Sequence, residues 1–494
     1  MYTFLIGLVI LFVGAWAYGN ICERVMKPDE RKTPAYTKAD GVDFIPMKTW
    51  KNSLVNLLNI AGTGPILGPI QGILFGPVAF ILIPVGNIFG GAVHDYFCGM
   101  LSLRNGGMQM PALVNKYTNK SVYNIYNVFI SILMLLVGTV FIYVPGDITA
   151  TQVLGFSGAA NDISTWVVYG AILAYYLVAT LFPIDQIIGK IYPVFGAILL
   201  ISAIGVFAGL FFIDGYTLME VSPANWMGIH PKGANLIPIF FITVACGIVS
   251  GFHSSQTAII SRTVTGERQG RMTFFNMMVL EGFIAMIWAA AAMGLMAKGL
   301  QTPDDIFANP VPTIGLVCSD MLGKVGGILA LLGVIVLPIT SGDTALRSLR
   351  LMIGEFLHID QRPAKNRLTI SSIIFLIVAG ILYLAKMSPS GFTILWRYFA
   401  WSNQALAVFA FALITIYLVG RGYAIAPYMS LIPGVWYTFI TVSFICNAAI
   451  GLNLPYSVSN GIGVVIALIY AVLVWRRGAN MRDNKVSLES VPQY

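Results

Sequence analysis

Long apolar runs recur from one end of the chain to the other, and short polar stretches between them hold most of the charge. A run of about 20 apolar residues crosses the hydrocarbon core as a helix. The pattern predicts an all-α polytopic membrane protein of about 13 transmembrane helices, at 2–21, 53–72, 77–103, 122–145, 164–182, 193–213, 237–260, 273–297, 325–345, 369–385, 396–419, 427–447 and 460–475. Two of these runs are interrupted. The run 53–72 holds Gly62, Thr63, Gly64 and Pro65 in its middle, with Gly68-Pro69 just behind. The run 237–260 holds Ala245-Cys-Gly-Ile-Val-Ser-Gly-Phe-His253. Gly weakens a helix and Pro removes a backbone donor, so both runs are predicted to be discontinuous helices. Irregular backbone at membrane depth survives only where protein or a watery cavity surrounds it. Paired interruptions of this kind point to the binding site of a secondary transporter.

The charges orient the spans. Only 10% of residues are charged, against about 25% in soluble proteins. Of the 29 Lys and Arg residues, all but Lys232, Lys298, Lys324, Lys386 and Arg397 fall on one alternating set of loops and tails. The positive-inside rule makes that set cytoplasmic, with the N-terminus outside and the C-terminus inside. The net charge of +8 is thereby explained by topology, and no nucleic-acid partner is called for. The first run is read as a retained span rather than a signal peptide, because no basic residue precedes it. Five cysteines, mostly inside spans, give no disulfide framework. In this frame the two interruptions lie near mid-membrane in spans of opposite direction, five spans apart. That spacing implies an inverted repeat of five plus five helices. The domains are then 1–52 (a peripheral span and loop), 53–213 (first repeat), 237–419 (inverted second repeat) and 427–494 (a C-terminal helix pair and tail).

The candidate chemistry follows from the breaks. Each half-helix that starts at mid-membrane offers free N–H groups and a partial positive charge, which favour a carboxylate. Asn59, Gly62, Thr63, Gly64, Ser250, Gly251, His253, Gln256 and Asn403 are the expected substrate contacts. The alternative is that the glycines only permit close helix packing. On the site reading, Gly64→Leu and Gly251→Leu are expected to abolish binding while the protein still folds. Ionisable residues inside spans are costly and mark function by default. His253, Asp343, Glu281 and Asp95 are the candidates for proton coupling. Asp343 has Arg347 one helical turn on, so a structural ion pair competes with a coupling role. A carboxyl hydrogen-bonded to a neighbouring helix is the competing account of Glu281. The hydroxyls of Thr340 and Ser341 suit sodium, although back-bonding within the helix is their commoner fate. His94, Cys98 and His253 form a minimal zinc set, with Asp95 between the first two. Apart from that zinc set no cofactor is expected; the coupling ion is a proton or sodium.

At these residues the chain resembles the carbon starvation protein A family. The matching stretches are Asn59-Ile-Ala-Gly-Thr-Gly-Pro-Ile-Leu-Gly-Pro-Ile70, Gly90-Gly-Ala-Val-His-Asp-Tyr96, Ala245-Cys-Gly-Ile-Val-Ser-Gly-Phe-His-Ser-Ser-Gln256 with Arg262-Thr263, and Thr340-Ser-Gly-Asp-Thr-Ala-Leu-Arg347. The resemblance implies the leucine-transporter fold of the amino acid–polyamine–cation superfamily. It also implies uptake of peptides or pyruvate during carbon starvation, with protons, across the bacterial inner membrane. The expected partners are therefore the lipid bilayer and a small-molecule or peptide substrate. A nutrient sensor or an uncoupled channel is the alternative. Direct ATP drive and membrane hydrolysis lack their motifs: the chain has no Gly-x4-Gly-Lys-Ser/Thr, His-Glu-x-x-His or Gly-x-Ser-x-Gly.

Overall fold

The computed structural model describes residues 1–41, 43–180, 184–226, 230–361 and 363–490, with backbone only at 184–193 and 195. The end of the expected span 164–182, and the Lys190 and Arg362 side chains used for topology, lie outside the described residues. Among those residues the chain is all helical, with no strand. The long apolar helices are α1 (Tyr2–Met26), the pair α2 (Thr49–Ile60) and α3 (Gly64–Gly72), α4 (Ala79–Arg104), α5 (Lys120–Ile148), α6 (Ile163–Ala179) and α7 (Ile184–Phe212). After a loop come the pair α8 (Leu236–Val244) and α9 (Gly251–Ile260), then α10 (Asn276–Ala297), α11 (Val311–Phe356), α12 (Ala364–Met387), α13 (Gly391–Gly420), α14 (Tyr428–Asn447) and α15 (Tyr456–Asp483). Ten helical stretches are long and apolar enough to cross a membrane, and α2 with α3 form a further, bent pair. The chain is a multi-pass membrane protein.

The placement of these helices follows from where each can put its side chains. α10 is apolar all round and buried nearly all round, which a helix at the centre of a bundle requires. α1, α12 and α15 bury one face and leave Val9, Leu376 and Leu468 among many apolar side chains exposed, the surface that lipid covers. α2 and α3 meet at a 52° bend, and both half-helices pack on α10. α9 packs between α2, α4 and α13. The two broken helices therefore lie at the core with their breaks side by side.

One expected boundary moves. The span predicted at 325–345 belongs to a helix running from Val311 to Phe356, interrupted at Gly323 with φ 64° and ψ −171°. Arg347 and Arg350, expected in a loop, are buried in its last turns, and the Arg347 Nη2 donates to the Ala179 carbonyl at 2.7 Å. Arg104, also expected at a loop, is buried at the end of α4. Its guanidinium donates twice to Glu267, at 2.8 Å each, and once to Glu489 at 3.1 Å. Arg31 reaches Glu489 at 2.8 Å and Glu267 at 3.3 Å, and the Tyr417 hydroxyl donates to Glu489 at 2.7 Å. Burial pushes the Glu489 carboxyl up, but Arg104, Arg31 and Tyr417 outweigh it and hold it below the usual carboxylate range. This network ties the segment after α1, the end of α4, the turn before α10, α13 and the C-terminal tail into one basic end.

Removing one partner of a buried ion pair leaves the other uncompensated, at about 3–5 kcal/mol. Arg104→Ala is expected to lower the thermal unfolding midpoint in detergent sharply. Glu489→Gln, which keeps hydrogen-bonding capacity, should lower it less. An unchanged midpoint for Arg104→Ala would contradict the network's structural role.

Candidate functional site

At the first break α2 ends at Ile60, the Gly62 N–H bonds the Ile60 carbonyl at 2.9 Å, and α3 restarts at Gly64. Pro65 stands in the first turn of α3, where its missing donor costs nothing. At the second break Ala245 adopts φ 38°, a single 3-10 turn spans Ala245–Gly247, and α9 restarts at Gly251 behind Ser250. The breaks touch. A Cβ on Gly64 would stand 2.4 Å from the Cys246 Sγ, and one on Gly68 would stand 2.6 Å from the Val244 carbonyl oxygen. Gly62 is equally filled, against the Phe141 ring at 2.3 Å.

Three amides serve the freed backbone of the second break. The Asn403 Oδ1 accepts from the Ser250 hydroxyl at 2.9 Å and from the Phe252 N–H at 2.8 Å, while its Nδ2 donates to the Cys246 sulfur at 3.1 Å. The Gln404 Nε2 donates to the Val249 carbonyl at 3.0 Å, and the Asn87 Nδ2 donates to Gly247 at 3.2 Å and Met278 at 3.0 Å. Asn403 and Ser250, expected to contact substrate, are here bonded to each other across the start of α9. The carboxylate-like place at that helix end is held by an amide oxygen of the protein itself. The expectation that Gly251→Leu folds normally is corrected by the same geometry. A Cβ there would lie 2.4 Å from the Asn403 carbonyl oxygen and 2.5 Å from the Ala407 nitrogen, both backbone atoms of α13.

Beside the breaks, three helices bring four ionisable side chains into a line. Asp95 on α4 bonds His94 Nδ1 through one carboxylate oxygen at 2.8 Å and His253 Nδ1 on α9 through the other at 3.0 Å. The other nitrogen of His253, Nε2, faces Glu281 of α10 at 3.6 Å, and the Ile60 carbonyl, at the end of α2, lies against the same imidazole. All four side chains are fully buried. With both imidazoles neutral and both carboxylates ionised, the line would carry two negative charges in a dry interior. Buried charge is tolerated only when neutralised or paired, so protons belong to this cluster as a set. The order Glu281–His253–Asp95–His94 can pass a proton by small displacements of each group.

Among the described residues, several buried polar atoms around the breaks make no hydrogen bond: both side-chain atoms of Asn59, the Thr63 hydroxyl, the Gln256 Oε1, the His253 Nε2 and both Glu281 oxygens. A buried polar group without a partner costs about 1–3 kcal/mol, so these atoms call for water, an ion or a ligand to satisfy them. Of the remaining expected residues, Thr340, Ser341 and Asp343 lie on α11, which packs against α2. The Ser341 hydroxyl donates to the Leu58 carbonyl at 2.6 Å, tying α11 to α2, and the Thr340 hydroxyl back-bonds to Leu337 at 2.7 Å. Asp343 is buried on α11 near Tyr176. Cys98 is buried one turn from His94, but among the described residues no three His, Cys, Asp or Glu side chains are grouped to hold a metal ion. Sequence pattern alone did not single out Asn87 or Gln404 as the residues that close the second break. Amides in the middle of apolar runs were the available signal.

Residues 1–176, 146–311 and 300–444 match the carbon starvation protein CstA family. An uncharacterized membrane protein of Haemophilus influenzae is 39% identical over 353 residues, covering 63% of this chain and 95% of that one. The peptide transporter CstA of Helicobacter pylori is 24% identical over 544 residues, 85% of this chain and 78% of its own. The pyruvate/proton symporter BtsT of Escherichia coli is 24% identical over 378 residues, 65% of this chain and 52% of its own.

The packing at the breaks makes a differential prediction. Gly251→Ala forces a methyl against the backbone of α13 and should destabilise by about 1–3 kcal/mol. Gly90→Ala, whose Cβ would meet its nearest neighbours at an ordinary 3.7 Å, should leave the thermal midpoint within a degree or two of the parent, a change of a few tenths of a kcal/mol by the order-of-magnitude rule for tolerated sites. Equal midpoints for the two variants would show that the breaks are loosely packed.

Proposed function

The chain belongs to the carbon starvation protein CstA family, and on that premise we propose that it is a proton-coupled secondary transporter importing pyruvate, peptides or similar small carboxylate-bearing nutrients when carbon is scarce. The observation that carries the proposal is the buried line Glu281–His253–Asp95–His94 beside two touching helix breaks. A proton taken up by this line changes its net charge in the dry interior, and the partnerless Asn59 and Thr63 lie on the neighbouring break to meet substrate. Coupling follows if the two loads neutralise each other. The line holding an extra proton and a bound carboxylate together leave the interior closer to neutral than either alone, so the loaded carrier changes conformation more readily than a half-loaded one. The function is transport without covalent chemistry.

The finer architecture belongs to the same proposal. The broken pairs α2–α3 and α8–α9 would be equivalent helices of a leucine-transporter-like inverted repeat, at 53–213 and 237–419, within 13 spans. The segments 1–52 and 427–494 would flank it. The protein would lie in the bacterial cytoplasmic membrane, its basic end cytoplasmic and its N-terminus outside.

Two measurements test this. In proteoliposomes, Glu281→Gln is expected to lose ΔpH-driven accumulation of labelled pyruvate or dipeptide by about tenfold or more, one pK unit of coupling being tenfold. Exchange of substrate across the membrane should persist. A Glu281→Gln protein that concentrates substrate as the parent does would remove this line as the coupling site, and accumulation driven by sodium alone would move coupling to Thr340 and Ser341. For orientation, Ala159 and Ala364 are both exposed. Ala159→Cys should react with an impermeant thiol reagent on intact cells, and Ala364→Cys only after permeabilisation. The reverse pattern would invert the topology.

A further inference from the structure

A cavity lies at the end of the bundle opposite the basic network. It encloses about 280 Å³ and is walled by both broken helices. Gln71 comes from α3, Ile242 and Thr243 from α8, and Trp396 and Arg397 from the second turn of α13. Thr243 is two residues from the strained Ala245. Gln71 is seven residues along α3 from Gly64, about 10 Å at the helical rise. The cavity is therefore one short helical segment away from the breaks.

Among the described residues, the titratable ones that line it are Lys232, Arg397 and His230, and none is acidic. The rest of the wall is largely apolar and includes four rings, Phe75, Phe307, Phe392 and Phe444. His230 is clamped between the rings of Phe75 at 5.0 Å and Phe307 at 5.3 Å. Burial first, then the nearby Arg397, pushes its imidazole below the ordinary value, so it stands neutral and leaves the charge to Lys232 and Arg397. The Trp396 side chain is 5% exposed, and its indole N–H, a donor only, has no partner. A walled cavity, two cations without a lining anion and an orphaned buried donor are together the features of an anion pocket.

We propose that this cavity is a second binding site, an antechamber that receives a small carboxylate, with Lys232 and Arg397 attracting it, the Trp396 N–H bonding it and the aromatic wall holding its apolar part. The volume is at the lower end of small-molecule sites, about 300–1,000 Å³, so it suits a monocarboxylate or a dipeptide and excludes longer peptides. The proposal rests on the transport reading for its direction: the antechamber faces outside, and a ligand there is next in line for the breaks.

Thr393 lines the cavity, and all five native cysteines are buried, so Thr393→Cys reports on it selectively. Labelling of Thr393→Cys in the full-length protein by an impermeant thiol reagent is followed with pyruvate, N-acetyl-alanylalanine, or their neutral amides. Either carboxylate is expected to slow labelling about fivefold or more at saturation, its amide not at all, by the charge-assisted term. Protection by pyruvate or by the dipeptide alone identifies which source of carboxylate the pocket takes. Lys232→Gln with Arg397→Gln should abolish protection, while Lys232→Arg with Arg397→Lys keeps it. Unliganded labelling rates and gel-filtration profiles equal to the parent's confirm that the variants fold; both substituted side chains are exposed. Equal protection by acid and amide, protection that survives the double Gln variant, or no protection by either carboxylate overturns the proposal. Protection without uptake would sink the transport reading and leave this site standing. Uptake without protection would do the opposite.

Discussion

Every backbone N–H and C=O inside a bilayer must find a partner within the protein, and the rest of this structure depends on how it meets that demand where two helices stop and restart. At the second break the partners are side-chain amides delivered from other helices: Asn403 and Gln404 from α13 and Asn87 from α4. Those helices can deliver them only because the glycines remove the bulk that would hold the backbones apart. Gly64 sits against Cys246, Gly68 against the Val244 carbonyl, and Gly251 against the backbone of α13. The glycines thus serve both the break and the packing around it.

The second constraint is charge. Asp95, Glu281, His94 and His253 would be intolerable as isolated ions at this depth, and the fold places them where each can neutralise another. Asp95 takes an imidazole on each carboxylate oxygen. Glu281 is left with one approach from His253 and no hydrogen-bond partner. The two buried carboxyls thus differ in how far the protein satisfies them. The basic end is built on the contrary principle. Arg104, Arg31, Glu267 and Glu489 saturate one another, a geometry suited to holding helix ends together rather than to exchanging protons.

The sequence by itself determined much of this protein. Its apolar runs determined the helices, because a bilayer crossing needs a fixed length of apolar chain. Gly62-Thr-Gly-Pro65 and Ala245-Cys-Gly-Ile-Val-Ser-Gly251 determined where two of them break, because Gly and Pro act locally on the backbone. The rarity of charge inside spans singled out Asp95, His253 and Glu281 without any coordinates. Rotation of each helix about its axis was not legible, since a helix apolar on all sides, as α10 is, carries no periodic mark of which face meets which neighbour. Only the tertiary structure decided that Asp95 lies between two histidines, that Asn403 closes the start of α9, that Arg104 turns inward to Glu267 and Glu489, and that Lys232 and Arg397 share an aromatic cavity. Apart from the neighbouring His94 and Asp95, each of those pairings joins residues separated by about 150 positions or more, where neither propensity nor spacing reaches and the packing of whole helices sets the distance.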